Sequence, residues 1–163
     1  VGAPDKPAAP AAAPAPAPAP AKPAPLPLQD SAVWQQECGA CHIAYPASLL
    51  GPASWNGVMS GLDKHFGTDA SLDAATAAQV GRYLRGNAGR EQAPATTATA
   101  TPVLRISDTA WFRREHREVP AARWRSPGVK SAANCAACHR GAANGNFEED
   151  ERQEHERGER DND

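Results

Sequence analysis

The chain contains the pentapeptide Cys38-Gly39-Ala40-Cys41-His42 and, 97 positions later, the pentapeptide Cys135-Ala136-Ala137-Cys138-His139. Both follow the pattern Cys-x-x-Cys-His, and together they contain all four cysteines of the 163-residue chain. This pattern is the attachment signature of a c-type haem. Each thiol adds to one vinyl group of the porphyrin, and the histidine that follows lies under the iron as its proximal ligand. The sequence therefore predicts two covalently bound haem c groups. The predicted thioether cysteines are Cys38, Cys41, Cys135 and Cys138, and the predicted proximal ligands are His42 and His139.

Other uses of paired cysteines fit this sequence less well. A structural zinc site takes its ligands from cysteine pairs that lie about 12–20 residues apart, whereas these two pairs are 97 positions apart. A thioredoxin-like redox pair opens a helix after an apolar β-strand, and no such strand precedes either motif. Two structural disulfides remain as a minor alternative.

The two ends of the chain differ in composition from its middle. Residues 3–27 are almost entirely Ala and Pro, and proline removes the amide donors that a helix needs. We therefore predict that residues 1–29 form a disordered or extended polyproline-II tether, which would reach on the order of 75 Å at about 3.1 Å per residue. Residues 148–163 contain no apolar side chain and form a predicted acidic tail.

Two further features of the sequence predict where in the cell the protein is located. The chain begins at Val1 rather than at a methionine, and we expect that a leader or an anchor has been removed. No apolar run approaches the roughly 18 residues that span a bilayer, so we expect no transmembrane segment in this chain. Bacteria attach haem to such motifs outside the cytoplasm, and we therefore expect a periplasmic protein.

The remaining residues divide into two predicted units with one attachment motif each. We assign residues 30–90 to a first haem domain, residues 91–102, rich in Ala and Thr, to a linker, and residues 103–147 to a second haem domain. A unit of about 60 residues buries little apolar surface of its own. Each haem would therefore supply much of the core of its unit.

Helical signals dominate the first unit. A helix capped by Asp30 or Ser31 is expected to reach Cys41. A second helix would begin at Pro52 and continue to Phe66. Its apolar stripe would consist of Trp55, Val58, Met59, Leu62 and Phe66.

Two further helices are expected, one from near Asp73 to Gly86 or Gly89 and one from Ser107 or Asp108 to Val119. A short helical piece would carry residues 135–139. No segment of the chain alternates well enough between apolar and polar residues to predict a β-sheet.

Two irons need two distal ligands, and five histidines are present. His65 falls within the apolar stripe of the predicted second helix, and His116 falls on an apolar face of the predicted fourth helix. An imidazole without a partner among apolar residues is costly, and ligation to iron would satisfy it. We therefore predict His65 as the distal ligand of the first haem iron and His116 as that of the second.

Alternatives for these positions remain open. Either histidine could be an ordinary core or surface residue. Met59, the only methionine, is a rival ligand for the first iron and would raise its reduction potential. His155 lies in a run of charged residues and is not expected to bind iron.

Basic charge is concentrated in residues 101–146, which hold eight Lys or Arg and three Asp or Glu. Nucleic-acid binding is a weak interpretation of such a stretch, and we expect no nucleic-acid partner. Arginines can instead pair with the propionate groups of the haems.

The second unit contains a specific pattern. It consists of ISDTAWF at residues 106–112, EH at 115–116, ANCAACH at 133–139 and GNF at 145–147. With this pattern, over residues 30–149, the chain resembles the small dihaem cytochrome c family of bacterial periplasms. The first unit, which closes with a helix ending in Tyr-Leu-Arg, resembles a small class I cytochrome c.

The resemblance implies a mainly α fold, with a class I cytochrome c-like helical domain followed by a loop-rich second haem domain. It also implies two histidine ligands on each iron, with His65 and His116 as the distal ones. The implied function is to pass electrons to a small monohaem c-type cytochrome, with a membrane-bound b-type cytochrome as a possible donor. We therefore expect an electron carrier rather than an enzyme. The alternatives are a dihaem peroxidase with an open iron position and a haem-based sensor.

Overall fold

A computed structural model describes Gly2 and residues 30–148 of the chain. The predicted tether and acidic tail lie outside the described residues, apart from Gly2 and Glu148. The described backbone forms α-helices and short 3₁₀ turns, and its β pairing is limited to two isolated bridges. The helices are α1 (Asp30–Cys38), α2 (Pro52–Ser60), α3 (Ala74–Gly86), α4 (Ala110–Glu115) and α5 (Ala121–Trp124). The predicted mainly α fold, with long helices in the first half and loops in the second, is confirmed.

The 3₁₀ turns are Ala47–Leu49, Leu62–Lys64, Ile106–Asp108, Cys135–Ala137 and Ala142–Asn144. In the part of the chain that the structure describes, no helix combines the length and the apolar character needed to cross a membrane.

The core of residues 30–90 forms where α3 packs against α1 and α2. Trp34 of α1 stacks on Tyr83 of α3 with 4.6 Å between the ring centroids. Trp55 of α2 is buried, and its Nε1–H donates a hydrogen bond of 2.7 Å to the carbonyl of Ala47. This bond satisfies the one polar atom of the Trp55 side chain. The buried residues of this core are Val33, Ala47, Leu50, Trp55, Val58, Val80 and Leu84.

Two helices of the first half end earlier than the sequence predicted. α1 ends at Cys38 rather than Cys41, because the chain turns at Gly39. α2 ends at Ser60 rather than Phe66 because Gly61 follows it and the backbone tightens into a 3₁₀ turn. His65 therefore lies after that turn and not on the second helix, which corrects the predicted placement.

The fourth helix also differs at its start. The predicted cap was Ser107 or Asp108, but these two residues belong to a 3₁₀ turn. The cap is Thr109, whose Oγ1 accepts a hydrogen bond of 3.0 Å from the backbone N–H of Phe112. A buried threonine thus does what an N-terminal cap requires, because it supplies an acceptor to a free amide of the first turn.

The end of the fourth helix is corrected as well. It stops at Glu115 and not at Val119. A further short helix, α5, begins directly after Pro120.

The residues predicted as a linker form hydrogen bonds with the chain before them and with the chain after them. The Glu91 carboxylate accepts hydrogen bonds from the backbone N–H of Ala53 (2.5 Å) and from the Ser54 hydroxyl (3.0 Å), at the first turn of α2. Further along, the Ala95 N–H donates to the carbonyl of Asp108, at 2.8 Å. The division into two haem domains stays a prediction, but this segment contacts the structure before and after it.

Candidate haem sites

The first candidate site is formed by His42 and His65. The centroids of the two imidazole rings are 6.1 Å apart, and the angle between the ring planes is 26°. His42 follows the turn after α1, and its Nδ1 lies 2.6 Å from the carbonyl oxygen of Ile43. That contact leaves Nε2 of His42 available to a metal.

The second candidate site is formed by His116 and His139. Their ring centroids are also 6.1 Å apart, but the ring planes are nearly perpendicular, at 89°. His116 Nδ1 lies 2.9 Å from the carbonyl oxygen of Phe112, which again leaves Nε2 available. The structure therefore brings each predicted proximal histidine opposite the distal histidine predicted for the same haem.

The spacing of both pairs fits an iron between two imidazoles. A metal–nitrogen bond is about 2 Å long and a ring centroid lies about 1.1 Å from its nitrogen, so two rings on one iron have centroids about 6 Å apart. The observed separation is 6.1 Å in both pairs. The ligand separation thus matches what two axial histidines on a haem require.

Aromatic side chains surround the second pair. The Phe112 ring stacks on His116 with centroids 4.0 Å apart, and the Trp124 ring lies 5.7 Å from the same imidazole. Phe147 approaches His139 at 5.7 Å. The Nδ1 atom of His139 is buried, and the described residues supply no hydrogen-bond partner for it. Aromatic side chains around both imidazoles fit a site that holds a further apolar group, since the large flat surface of a porphyrin needs apolar contacts.

The cysteines are arranged as free thiols and not as two disulfides, which removes the disulfide alternative. Among the residues with described positions, no three or more His, Cys, Asp or Glu side chains are grouped as a structural zinc site would require. What remains is a pair of thiols before each proximal histidine, which is the donor set for covalent haem attachment.

Charge and burial favour the neutral form of His65. Burial lowers the pKa of His65, and the nearby His42 and Arg105 lower it further. The guanidinium of Arg105 lies over the ring of Phe66, 4.0 Å from the ring centroid. A neutral imidazole is the form that binds a metal, so this environment suits a ligand.

Met59, the rival ligand for the first iron, contacts the apolar core. It is a partly buried residue packed against the core of α1, α2 and α3, which agrees with a packing role. His155, the fifth histidine, lies outside the described residues.

Sequence reasoning missed Tyr45. Its ring stacks on His42 with centroids 4.7 Å apart, and its hydroxyl donates a hydrogen bond of 2.6 Å to the carbonyl of Ala133. Burial, and next the proximity of Cys135, raise the pKa of Tyr45 to about 12, so the hydroxyl keeps its proton. No motif marks such a contact, because the partner lies 88 positions away.

Comparison with known proteins agrees with this geometry. Residues 34–147 match the family model of dihaem cytochrome c. Among proteins of curated function no match was found.

Two solved structures are similar to this chain. A diheme cytochrome c from Rhodobacter sphaeroides has 43% sequence identity and a TM-score of 0.61, with 71% of this chain and 95% of that chain covered. A diheme cytochrome type c from Shewanella baltica OS155 has 35% identity and a TM-score of 0.63, with 73% of this chain and 88% of that chain covered. The chain therefore belongs to the dihaem cytochrome c family, whose members carry two covalently bound haem c groups.

Proposed function

We propose that this dihaem cytochrome is an electron carrier in which both irons have two histidine ligands. His42 and His65 would bind the first iron, and His139 and His116 the second. The observation that carries the proposal is the presence of two histidine pairs, each with 6.1 Å between the ring centroids. In each pair, one histidine follows a Cys-x-x-Cys sequence and the other comes from a separate part of the fold.

The protein's own residues determine what these sites can do. When bound, each haem supplies an iron that accepts and releases an electron. His42 with His65, and His139 with His116, would hold the two irons and would leave no position for oxygen or peroxide to bind. The backbone carbonyls of Ile43 and Phe112 hold His42 and His116 in orientation. Ligands that are held in this way would rearrange little on electron transfer.

The proposed location is the periplasm, and the proposed acceptor is a small monohaem c-type cytochrome. A membrane-bound b-type cytochrome is the candidate donor. Exposed arginines are consistent with a docking surface for a redox partner of opposite charge. Among them are Arg113 and Arg117, whose side chains are 67% and 71% exposed.

Carbon monoxide binding to the reduced holoprotein tests the ligation. We expect the wild-type visible spectrum to stay unchanged on addition of the gas, because both axial positions are filled. His65→Ala and His116→Ala should each allow about one equivalent to bind, because each opens one iron. Met59→Leu is the matched control and should behave like wild type.

Two outcomes would contradict the proposal. Binding of carbon monoxide to the wild-type protein would indicate an open iron and favour a peroxidase or a sensor. Unchanged spectra of the His65→Ala protein would show that another residue completes the first site.

A further inference from the structure

Tyr45 connects two segments that are distant in the sequence. It lies three residues after His42, and its ring stacks on the His42 imidazole with 4.7 Å between centroids and 23° between planes. Its hydroxyl donates a hydrogen bond of 2.6 Å to the carbonyl of Ala133. Ala133 lies two residues before Cys135, the first cysteine of the second attachment motif. One side chain thus contacts the proximal histidine of the first site and the chain that enters the second site.

Haem attachment increases the importance of this hydrogen bond. The Sγ of Cys135 also lies within reach of the Ala133 carbonyl, at 3.7 Å. A cysteine sulfur bonded to a haem vinyl carbon has lost its hydrogen and cannot donate. Of the two side-chain donors that approach this carbonyl in the described residues, only Tyr45 then remains.

A hydrogen bond from a rigid ring is short and directional, so it can set the position of one segment relative to the other.

We propose that Tyr45 is a positioning residue that couples the two haem sites. Its ring holds the plane of the His42 imidazole, and its hydroxyl holds the segment of residues 133–135 relative to that plane. The inference rests on the proposed role of His42 as an iron ligand. The new element is that one side chain, Tyr45, links the two sites physically, in addition to the backbone that connects them.

Two substitutions separate the two roles in the holoprotein. Tyr45→Phe keeps the ring and removes the hydroxyl. Amide hydrogen exchange at residues 133–139 should become about fivefold faster, as expected for the loss of one hydrogen bond, while the low-spin paramagnetic resonance signal of the first haem stays unchanged. Tyr45→Leu removes the ring as well, so the same faster exchange should be accompanied by a shift in that signal.

Tyr83→Phe is the matched control, because Tyr83 is the other tyrosine of the chain and its ring stacks on Trp34 rather than on a histidine. It should leave the exchange and the signal as in wild type. Wild-type exchange in Tyr45→Phe would overturn the role of the hydroxyl, and an unshifted signal in Tyr45→Leu would overturn the role of the ring. A wild-type spectrum without low-spin iron would instead contradict the ligation itself, so the two failures are distinguishable.

Discussion

The Nδ1 atoms of His42 and His116 each face a backbone carbonyl, at 2.6 Å and 2.9 Å. A donor bond at Nδ1 sets the tautomer that has a free lone pair on Nε2, and it restricts rotation of the ring. One of these histidines is proximal in the proposal and the other is distal. In the proposal, the backbone would therefore orient one ligand of each iron.

Replacement of a distal histidine by methionine should change one haem at a time. We expect His65→Met to raise one of the two midpoint potentials and His116→Met to raise the other, because a thioether ligand favours the reduced iron. The shift should be on the order of 100 mV, a fraction of the range of about 0.8 V that axial ligands span. A potentiometric titration followed by visible absorbance measures both potentials and shows which haem has the lower one.

Met59→Leu serves as the control for this experiment. Met59 packs against the core of the first half, so its replacement should leave both potentials near their wild-type values. If Met59→Leu moved a potential while His65→Met left both in place, the methionine would be the ligand and the assignment of His65 would be wrong.

At the scale of single residues, the sequence was most informative where chemistry restricts the choice. Cys-x-x-Cys-His has few uses other than haem attachment. Two irons need two distal ligands, and outside the motifs and the charged tail the sequence contains two histidines. The ligand set stays a prediction, although the structure pairs the four histidines as that prediction requires. Tyr45 could not be found in this way, because neither its stacking nor its hydrogen-bond partner has a local signature.

The start of α3 illustrates how an element depends on one side chain. Asp73 precedes the helix, and its Oδ1 accepts hydrogen bonds of 3.0 Å from the backbone N–H groups of Ala75 and Thr76. The Thr76 hydroxyl donates to the other carboxylate oxygen at 2.6 Å. Hydrogen bonds from Thr76, more than those from Ala75, lower the pKa of Asp73.

This pKa shift predicts a pH dependence. Because the folded-state pKa of Asp73 lies below the ordinary value of about 3.9, the cap stabilises the fold above that pH and loses its effect as the pH falls through the lowered pKa. Asp73→Ala should therefore have a lower melting temperature than wild type at pH 7, by a few degrees, and the difference should be smaller at a pH well below about 3.9. Circular dichroism melts of the holoprotein at both pH values measure this, and a constant difference would contradict it.

The start of α2 depends on a residue from outside the helix. Glu91 accepts hydrogen bonds from Ala53 and from Ser54, whose side chain is fully buried. Gly51 makes this approach possible, since a Cβ at that position would collide with the Glu91 side chain. Ser54 would lose its partner if Glu91 were shortened.

We expect Glu91→Ala to lower the free energy of unfolding by about 1–2 kcal/mol, because it uncaps a helix and leaves a buried hydroxyl without a partner. Denaturant titration of the holoprotein measures this value. The matched control is Glu118→Ala, which removes a surface ion pair whose side chains are 71% and 73% exposed. That change should be close to neutral, and equal losses in the two variants would rule out the special role of Glu91.

The sequence predicted which helices form better than it predicted the residues at which they begin and end. Asp73 and Pro52 were recognised because they act within one turn of their own helix. The apolar stripe through Phe66 suggested a longer α2 than the structure has, because the side-chain pattern continues past Gly61 while the backbone does not. The cap by Glu91 was not predictable, since it crosses 38 positions of sequence.

At the scale of the molecule, the two candidate sites have the same ligand spacing but different ligand orientation. The imidazole planes meet at 26° in the first pair and at 89° in the second. Nearly parallel imidazoles donate to the same iron orbital and separate its π orbitals in energy, whereas perpendicular imidazoles leave them nearly equal. With the proposed ligation, the chain would combine two electronically different haems, a difference that composition and motif spacing could not predict.

Low-temperature electron paramagnetic resonance of the oxidised holoprotein tests this account most directly. The proposed ligation predicts two low-spin ferric signals of equal intensity. One should be rhombic and come from the pair His42 and His65. The other should have a single very large g value and come from the pair His116 and His139. A high-spin ferric signal from either haem would contradict the account, because it would mean that one iron lacks its second histidine.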